Sequence, residues 1–115
     1  MRLLTNAPTH EGAMIGRVTQ SSGGGFGVVG SSRINRALTF APRGMAWLPA
    51  VGDNILLLPV EGRDTCLGAL SVTTGLQPGE LRLTSSGGAT ILLAANGEIR
   101  LNGAVITRDG RVISR

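Results

Sequence analysis

From Gly79 onward the chain alternates between apolar and polar positions. The segments "GELRLT" and "GEIRLN" put Leu81 and Leu83, then Ile99 and Leu101, on one face of extended backbone, with Arg82 and Arg100 on the other. Ile91 and Leu93 in "ATILLAA" keep the same parity, and "AVIT" and "RVIS" add two more short runs. Glycines punctuate these runs: Gly79, Gly88 and Gly97 recur at equal spacing, followed by Gly103 and Gly110. Asn96-Gly97 and Asp109-Gly110 are favoured tight-turn pairs, because both residue types tolerate positive φ. The pattern predicts a ribbon of short strands with one aliphatic face.

Upstream the texture differs. Residues 13–72 hold strand-like runs in "AMIGRVTQ", "GFGVVG", "RALTFAP", "DNILLLPV" and "TCLGALSV". The fourth is a continuous apolar run that suits a strand buried on both faces, and "SSGGG" (Ser21–Gly25) reads as a turn between the first two. Five strands without a convincing helix predict a small closed or half-closed barrel. Residues 1–12 read as an irregular N-terminal arm, where Pro8 opposes a long helix. "TTGLQPG", residues 73–79, reads as a linker ahead of a terminal segment spanning 80–115. The fold expected is all-β throughout.

A meander of thirty-odd residues with one apolar face and few bulky side chains cannot shield that face by itself. It either folds back over the barrel or is covered by other copies of the chain. The repeated glycines and the lack of an aromatic plug in the tail favour the copies. Three tails around one axis would bury Leu81, Leu83, Ile91, Leu93, Ile99 and Leu101 within a prism, with the arginines outside.

Composition narrows the function. The 115 residues carry 18 glycines and 5 prolines, which suits many short strands and turns. The net charge of +4 invites a nucleic-acid interface, but the basic residues are single arginines with no run among them, and aromatics make up only 3%. Solvated arginines between strands fit better. One cysteine, Cys66, permits neither an intrachain disulfide nor a cysteine-based zinc site, and its small apolar neighbours suit a buried inert thiol. No signal-peptide core or membrane-length apolar stretch is present, so folding in the cytoplasm is expected.

Chemistry is sparse as well. One histidine, one cysteine, no tyrosine and 7 dispersed acids leave little for nucleophilic or acid–base catalysis. Glu61 and Asp64 in "VEGRDT" read as a hairpin turn, and "SSGGGFG" lacks the ending of a phosphate loop. No catalytic, cofactor or metal residue is assigned, and the chain is expected not to be an enzyme.

The stretch "PRGMAWLPAVGDNILLLPVEGRDTCLGAL", with its Val51-Gly52-Asp53 turn entering the Ile55–Leu58 strand and a glycine-periodic tail behind it, resembles the central spike proteins of contractile phage tails. These form the baseplate assembly protein V family, related to the spikes of other injection systems. The resemblance spans roughly residues 12–115 and implies an OB-fold-like barrel, a short linker and an intertwined trimeric β-helix, or β-prism. It further implies a homotrimer docked on tail hub and tube proteins in the virion baseplate, assembled in the host cytoplasm and driven through the host envelope when the sheath contracts. The apical His-x-His that holds iron in several relatives is missing, since His10 is the one histidine and lies at the other end. No metal is therefore expected, and the prism either ends bluntly or is capped. At the distal tip Arg108, Arg111 and Arg115 would gather nine positive charges per trimer, which favours a separate tip protein with an acidic surface. Two other functions stay open: an OB-type nucleic-acid-binding module and a receptor- or glycan-binding tail tip.

Overall fold

The computed structural model describes residues 12–23, 25–29, 33–35 and 37–114, with the backbone alone for 33–35. Most of the expected N-terminal arm, including Pro8 and His10, lies outside the described residues, as does Arg115. The described chain is all-β, without a helix, and forms two sheets. It divides into two compact units between Ser71 and Val72.

The first unit is a six-stranded sheet in the order β3-β2-β1-β5-β6-β4. Its strands are β1 (Met14–Ser22), β2 (Gly25–Val29), β3 (Arg33–Asn35), β4 (Leu38–Thr39), β5 (Asn54–Val60) and β6 (Arg63–Ala69). β1 pairs from Met14 to Arg17 with β5 and from Arg17 to Ser22 with β2, and its register with β2 slips between Val18 and Gln20. Such a bulge bends a strand and sharpens its twist. The expected barrel closure is absent among the described residues, because the edge strands β3 and β4 do not pair. Strand alternation supplies the core: Val18, Phe26, Val28, Ile55, Leu57 and Cys66 are buried together, with Met14, Ala37 and Trp47 packed around them. Each aliphatic member contributes about 1.5–3 kcal/mol by leaving water.

β5 departs from the sequence expectation. Its apolar run is buried on one face only, with Ile55 and Leu57 inside while Leu56 is exposed and Leu58 half-buried. A one-layer sheet has an inside and an outside, so a continuous apolar run need not mean two covered faces. The turn before β5 matches its sequence signal. Gly52 has φ +94°, Asp53 N–H donates to the Ala50 carbonyl (3.0 Å), and Asp53 Oδ2 accepts from Ala50 N–H (2.9 Å). Val18 then exchanges two backbone hydrogen bonds with Gly52 and Asp53, which fastens this turn to β1. Glu61-Gly62 closes the β5–β6 hairpin in two residues, both at positive φ, and Val60 pairs with Arg63.

The second unit is a five-stranded antiparallel meander in sequence order: β7 (Leu81–Thr84), β8 (Thr90–Leu93), β9 (Ile99–Leu101), β10 (Ala104–Ile106) and β11 (Val112–Ser114). All its pairings are between consecutive strands of the same chain. Three of its four turns are alike. In Ser85–Ala89, Ala94–Glu98 and Thr107–Arg111, the fourth residue is a glycine that donates to the carbonyl of the first. The fifth residue's carbonyl accepts from the first residue's N–H. Gly88, Gly97 and Gly110 have φ of +92° to +94°. The turn therefore requires glycine at that one position, whereas Asn96 and Asp109 are not at positive φ, contrary to the expectation of a two-residue tight turn.

Candidate functional site: an exposed aliphatic sheet face

Register lines the meander's side chains into rows. On one face the first row is Leu81, Leu93, Ile99, Ile106 and Val112; the second is Leu83, Ile91, Leu101, Ala104 and Ser114. The opposite face carries the row Arg82, Leu92, Arg100, Val105 and Ile113. Leu81, Leu83, Ile91, Leu93, Ile99 and Leu101 thus share one surface, and each is 36–53% exposed in the single chain. Ile106 and Val112 extend the first row. The sequence carries that signal in the parity of "AVITRDGRVIS", but the turn within it hides the continuation.

The face with the arginines is the better covered of the two. Val105 there is only 2% exposed, and Arg82, Leu92 and Arg100 are half-buried. Arg82 donates from both terminal nitrogens to the carbonyls of Val72 (2.8 Å) and Thr74 (3.1 Å). Arg100 forms a two-pronged contact with Glu98 Oε1, at 2.9 and 3.1 Å. These arginines are bound to the sheet and its connector, not simply solvated. The aliphatic face, by contrast, is left open.

Both flanks of the meander, where strands turn back, are tied together. On one flank, turns Ser85–Ala89 and Asn102–Gly103 are joined by Thr90 N–H donating to Asn102 Oδ1 (2.8 Å) and Asn102 N–H donating to the Thr90 carbonyl (3.1 Å). On the other flank lie the connector turn Gln77–Glu80 and turns Ala94–Glu98 and Thr107–Arg111. Glu80 receives the N–H groups of Gln77 and Ala95, and these hydrogen bonds, with the Arg100 charge, hold its carboxyl below the ordinary range. The stem of Arg108 packs over Gly97.

Arg108 lies along the neighbouring turn, and Arg111 Nε sits 3.5 Å from Asp109 Oδ2. Thr107 Oγ1 donates to Asp109 Oδ1, and this hydrogen bond leads the causes that lower the Asp109 carboxyl. Arg115 lies outside the described residues.

A shallow groove of about 280 Å³ in the first unit is lined by Thr39, Phe40, Ala41, Met45, Ala46 and Trp47, none of them titratable. Cys66 is fully buried, and burial raises its thiol while a contact to the Gly68 carbonyl opposes the shift. Among the described residues no three His, Cys, Asp or Glu side chains converge as a metal site would require. Against known protein families and curated proteins, the chain finds no match.

Proposed function

We propose that this chain is the central spike of a contractile tail baseplate, a homotrimer docked on the tail hub that pierces the host envelope when the sheath contracts. Its role there is mechanical and not enzymatic, its place is the virion baseplate, and nucleic acid is not its partner. The observation that carries the proposal is the aliphatic face of the meander, two rows wide and exposed in the single chain.

The size of that face favours three copies. β7 and β8 are 4 residues long and β9, β10 and β11 are 3, so a wall measures about 10–13 Å and a triangular prism of that width has an inscribed radius of about 3–4 Å. That is the reach of one leucine side chain, so three walls fill the interior with a single aliphatic layer at native density. Each copy brings a whole sheet as one wall of the prism. In the first unit, a bulged β1 shared by β2 and β5 supports an OB-like, half-closed sheet, which is the part that would dock on the hub.

Light scattering on the purified protein tests the assembly. The expected mass is three times 11.8 kDa, and a monomer or dimer at micromolar concentration sinks the proposal. Immunogold labelling of particles that carry the chain tests its place. Label is expected on the tail axis, and label confined to the capsid or tail fibres would refute a spike.

A further inference from the structure

We infer that the two units are jointed at a single residue, Ser71, and that the connector after it is a fixed part of the meander. The joint is a property of one chain, and its use on a tail hub rests on the spike proposal.

Two anchors bracket Ser71. On the side of the first unit, Leu70 N–H donates to the Asn54 carbonyl at 2.8 Å, which carries the β5–β6 pairing one residue beyond Ala69. On the other side, the Val72 carbonyl accepts from a terminal nitrogen of Arg82 at 2.8 Å, and Arg82 stands in β7. Ser71 itself makes no hydrogen bond among the described residues. Packing does not hold it either, since Leu70 is 72% exposed, Val72 is 70% exposed and Ser71 lies open between them. With neither bond nor packing, only steric exclusion limits its backbone, and that leaves the whole broad β region open. The fold divides at the same place, after Ser71.

Composition would put the joint elsewhere. Gly75, Pro78 and Gly79 make residues 73–79 look like the loose part, yet that stretch consists of two successive closed turns. Leu76 N–H donates to the Thr73 carbonyl (3.0 Å), and Glu80 N–H donates to the Gln77 carbonyl (3.1 Å). The third residue of each turn is a glycine, with φ of +84° and +85°, as a type II turn requires, and Pro78 fills the second position of the later one. Arg82 also grips the first turn through the Thr74 carbonyl, and Glu80 binds the second through Gln77 N–H and ties it to Ala95 N–H. These glycines serve turn geometry and not looseness. The joint of this chain is therefore shorter than its glycine-rich connector and lies ahead of it.

For a chain that shares a prism with two copies, the consequence is mechanical. Each first unit can settle on its seat by turning about Ser71, while Arg82 and Glu80 keep that adjustment from loosening the connector and β7.

Nitrogen-15 relaxation on the uniformly labelled full chain tests the joint residue by residue. Order parameters are expected to fall below about 0.6 at the Ser71 and Val72 amides and to stay near about 0.85 from Thr73 to Glu80. A dip that spreads across residues 73–79 makes the whole connector the joint and overturns the inference, as does uniform order through Ser71. Arg82→Ala removes the second anchor, so the dip should extend through Thr74 while Gln77 to Glu80 keep their order. A profile unchanged from the parent's overturns the part assigned to Arg82. If Arg82→Ala unfolds the meander, Arg82→Lys, which keeps the charge but not the fork to both carbonyls, is read in the same way. None of these outcomes depends on the mass of the assembly, so a monomer by light scattering sinks the spike while the relaxation profile still decides the joint.

Discussion

The carboxylate of Glu80 accepts a hydrogen bond from the backbone N–H of Ala95 at 2.8 Å, fifteen residues along the chain. Its other oxygen accepts from Gln77 N–H at 2.9 Å, so one side chain ties the connector turn to the β8–β9 turn. Both bonds favour the ionised form, the Gln77 bond first, then the Ala95 bond, and the folded-state pKa is lowered. The resulting stability is fully present above the unfolded pKa of about 4.3 and is lost as pH falls through the lower folded value. Urea midpoints measured from about pH 6 down to about pH 3 should therefore fall more steeply in the parent than in Glu80→Gln. Identical slopes would show that the Glu80 bonds do not hold in solution.

Ile99 and Arg100 are adjacent but lie on opposite faces, which makes them a matched pair of tests. Ile99→Asp places a carboxylate in each wall of the proposed prism, and burying an unpaired charge costs several kcal/mol per copy. Its light-scattering mass should drop to one chain. Because Ile99 is already 36% exposed in the single chain, the circular dichroism spectrum should stay that of a β protein. Arg100→Gln removes the Glu98 ion pair on the other face and should leave the trimer intact. If both variants keep the parent mass, the aliphatic face is not the interface.

Gly88 and Gly97 occupy the same place in two like turns, yet their surroundings differ. A Cβ on Gly88 would meet open space, while one on Gly97 would come within 2.9 Å of Arg108 Cδ. Gly88→Ala should cost about 1–2 kcal/mol, the penalty for a left-handed alanine. Gly97→Ala should cost more, and adding Arg108→Ala should recover the excess for Gly97→Ala alone. Denaturation of the four variants gives the coupling energy directly, and a coupling near zero would mean that Arg108 does not rest on Gly97.

Gly16 is a packing requirement in the first unit. A Cβ there would run into Val28 Cγ1 and press on Leu57 Cδ1 at 3.1 Å, both on fully buried side chains. Gly16→Ala should destabilise by about 1–3 kcal/mol through overpacking. A thermal midpoint equal to the parent's would show that β1, β2 and β5 have room to separate.

The meander was readable because period 2 survives in short segments: Leu81, Leu83, Ile99 and Leu101 could be set on one face by counting. The closure of its turns was half readable. Glycine spacing located Gly88, Gly97 and Gly110, but the pairs Asn96-Gly97 and Asp109-Gly110 suggested a two-residue turn. A glycine at positive φ serves several turn types, and local sequence does not separate them. The anchoring of Arg82 and Glu80 was not readable, since Val72, Thr74 and Ala95 offer backbone groups and so leave no mark in side-chain identity. In the first unit β4 is two residues long and pairs in parallel with β6, a contact that alternation in "RALTFAP" could not specify.

The like turns also bear on how a tail of this kind changes length. "GELRL" at Gly79 and "GEIRL" at Gly97 begin strands that run in the same direction, eighteen residues apart, because one strand out and one strand back lie between them. Gain or loss of that whole module leaves every later residue on its original face and flank. A change of nine residues, one strand and one turn, would reverse each later strand and exchange the two flanks. Duplication can therefore act on this segment as a ruler with a fixed increment, lengthening the structure without redesigning the strands beyond the insertion.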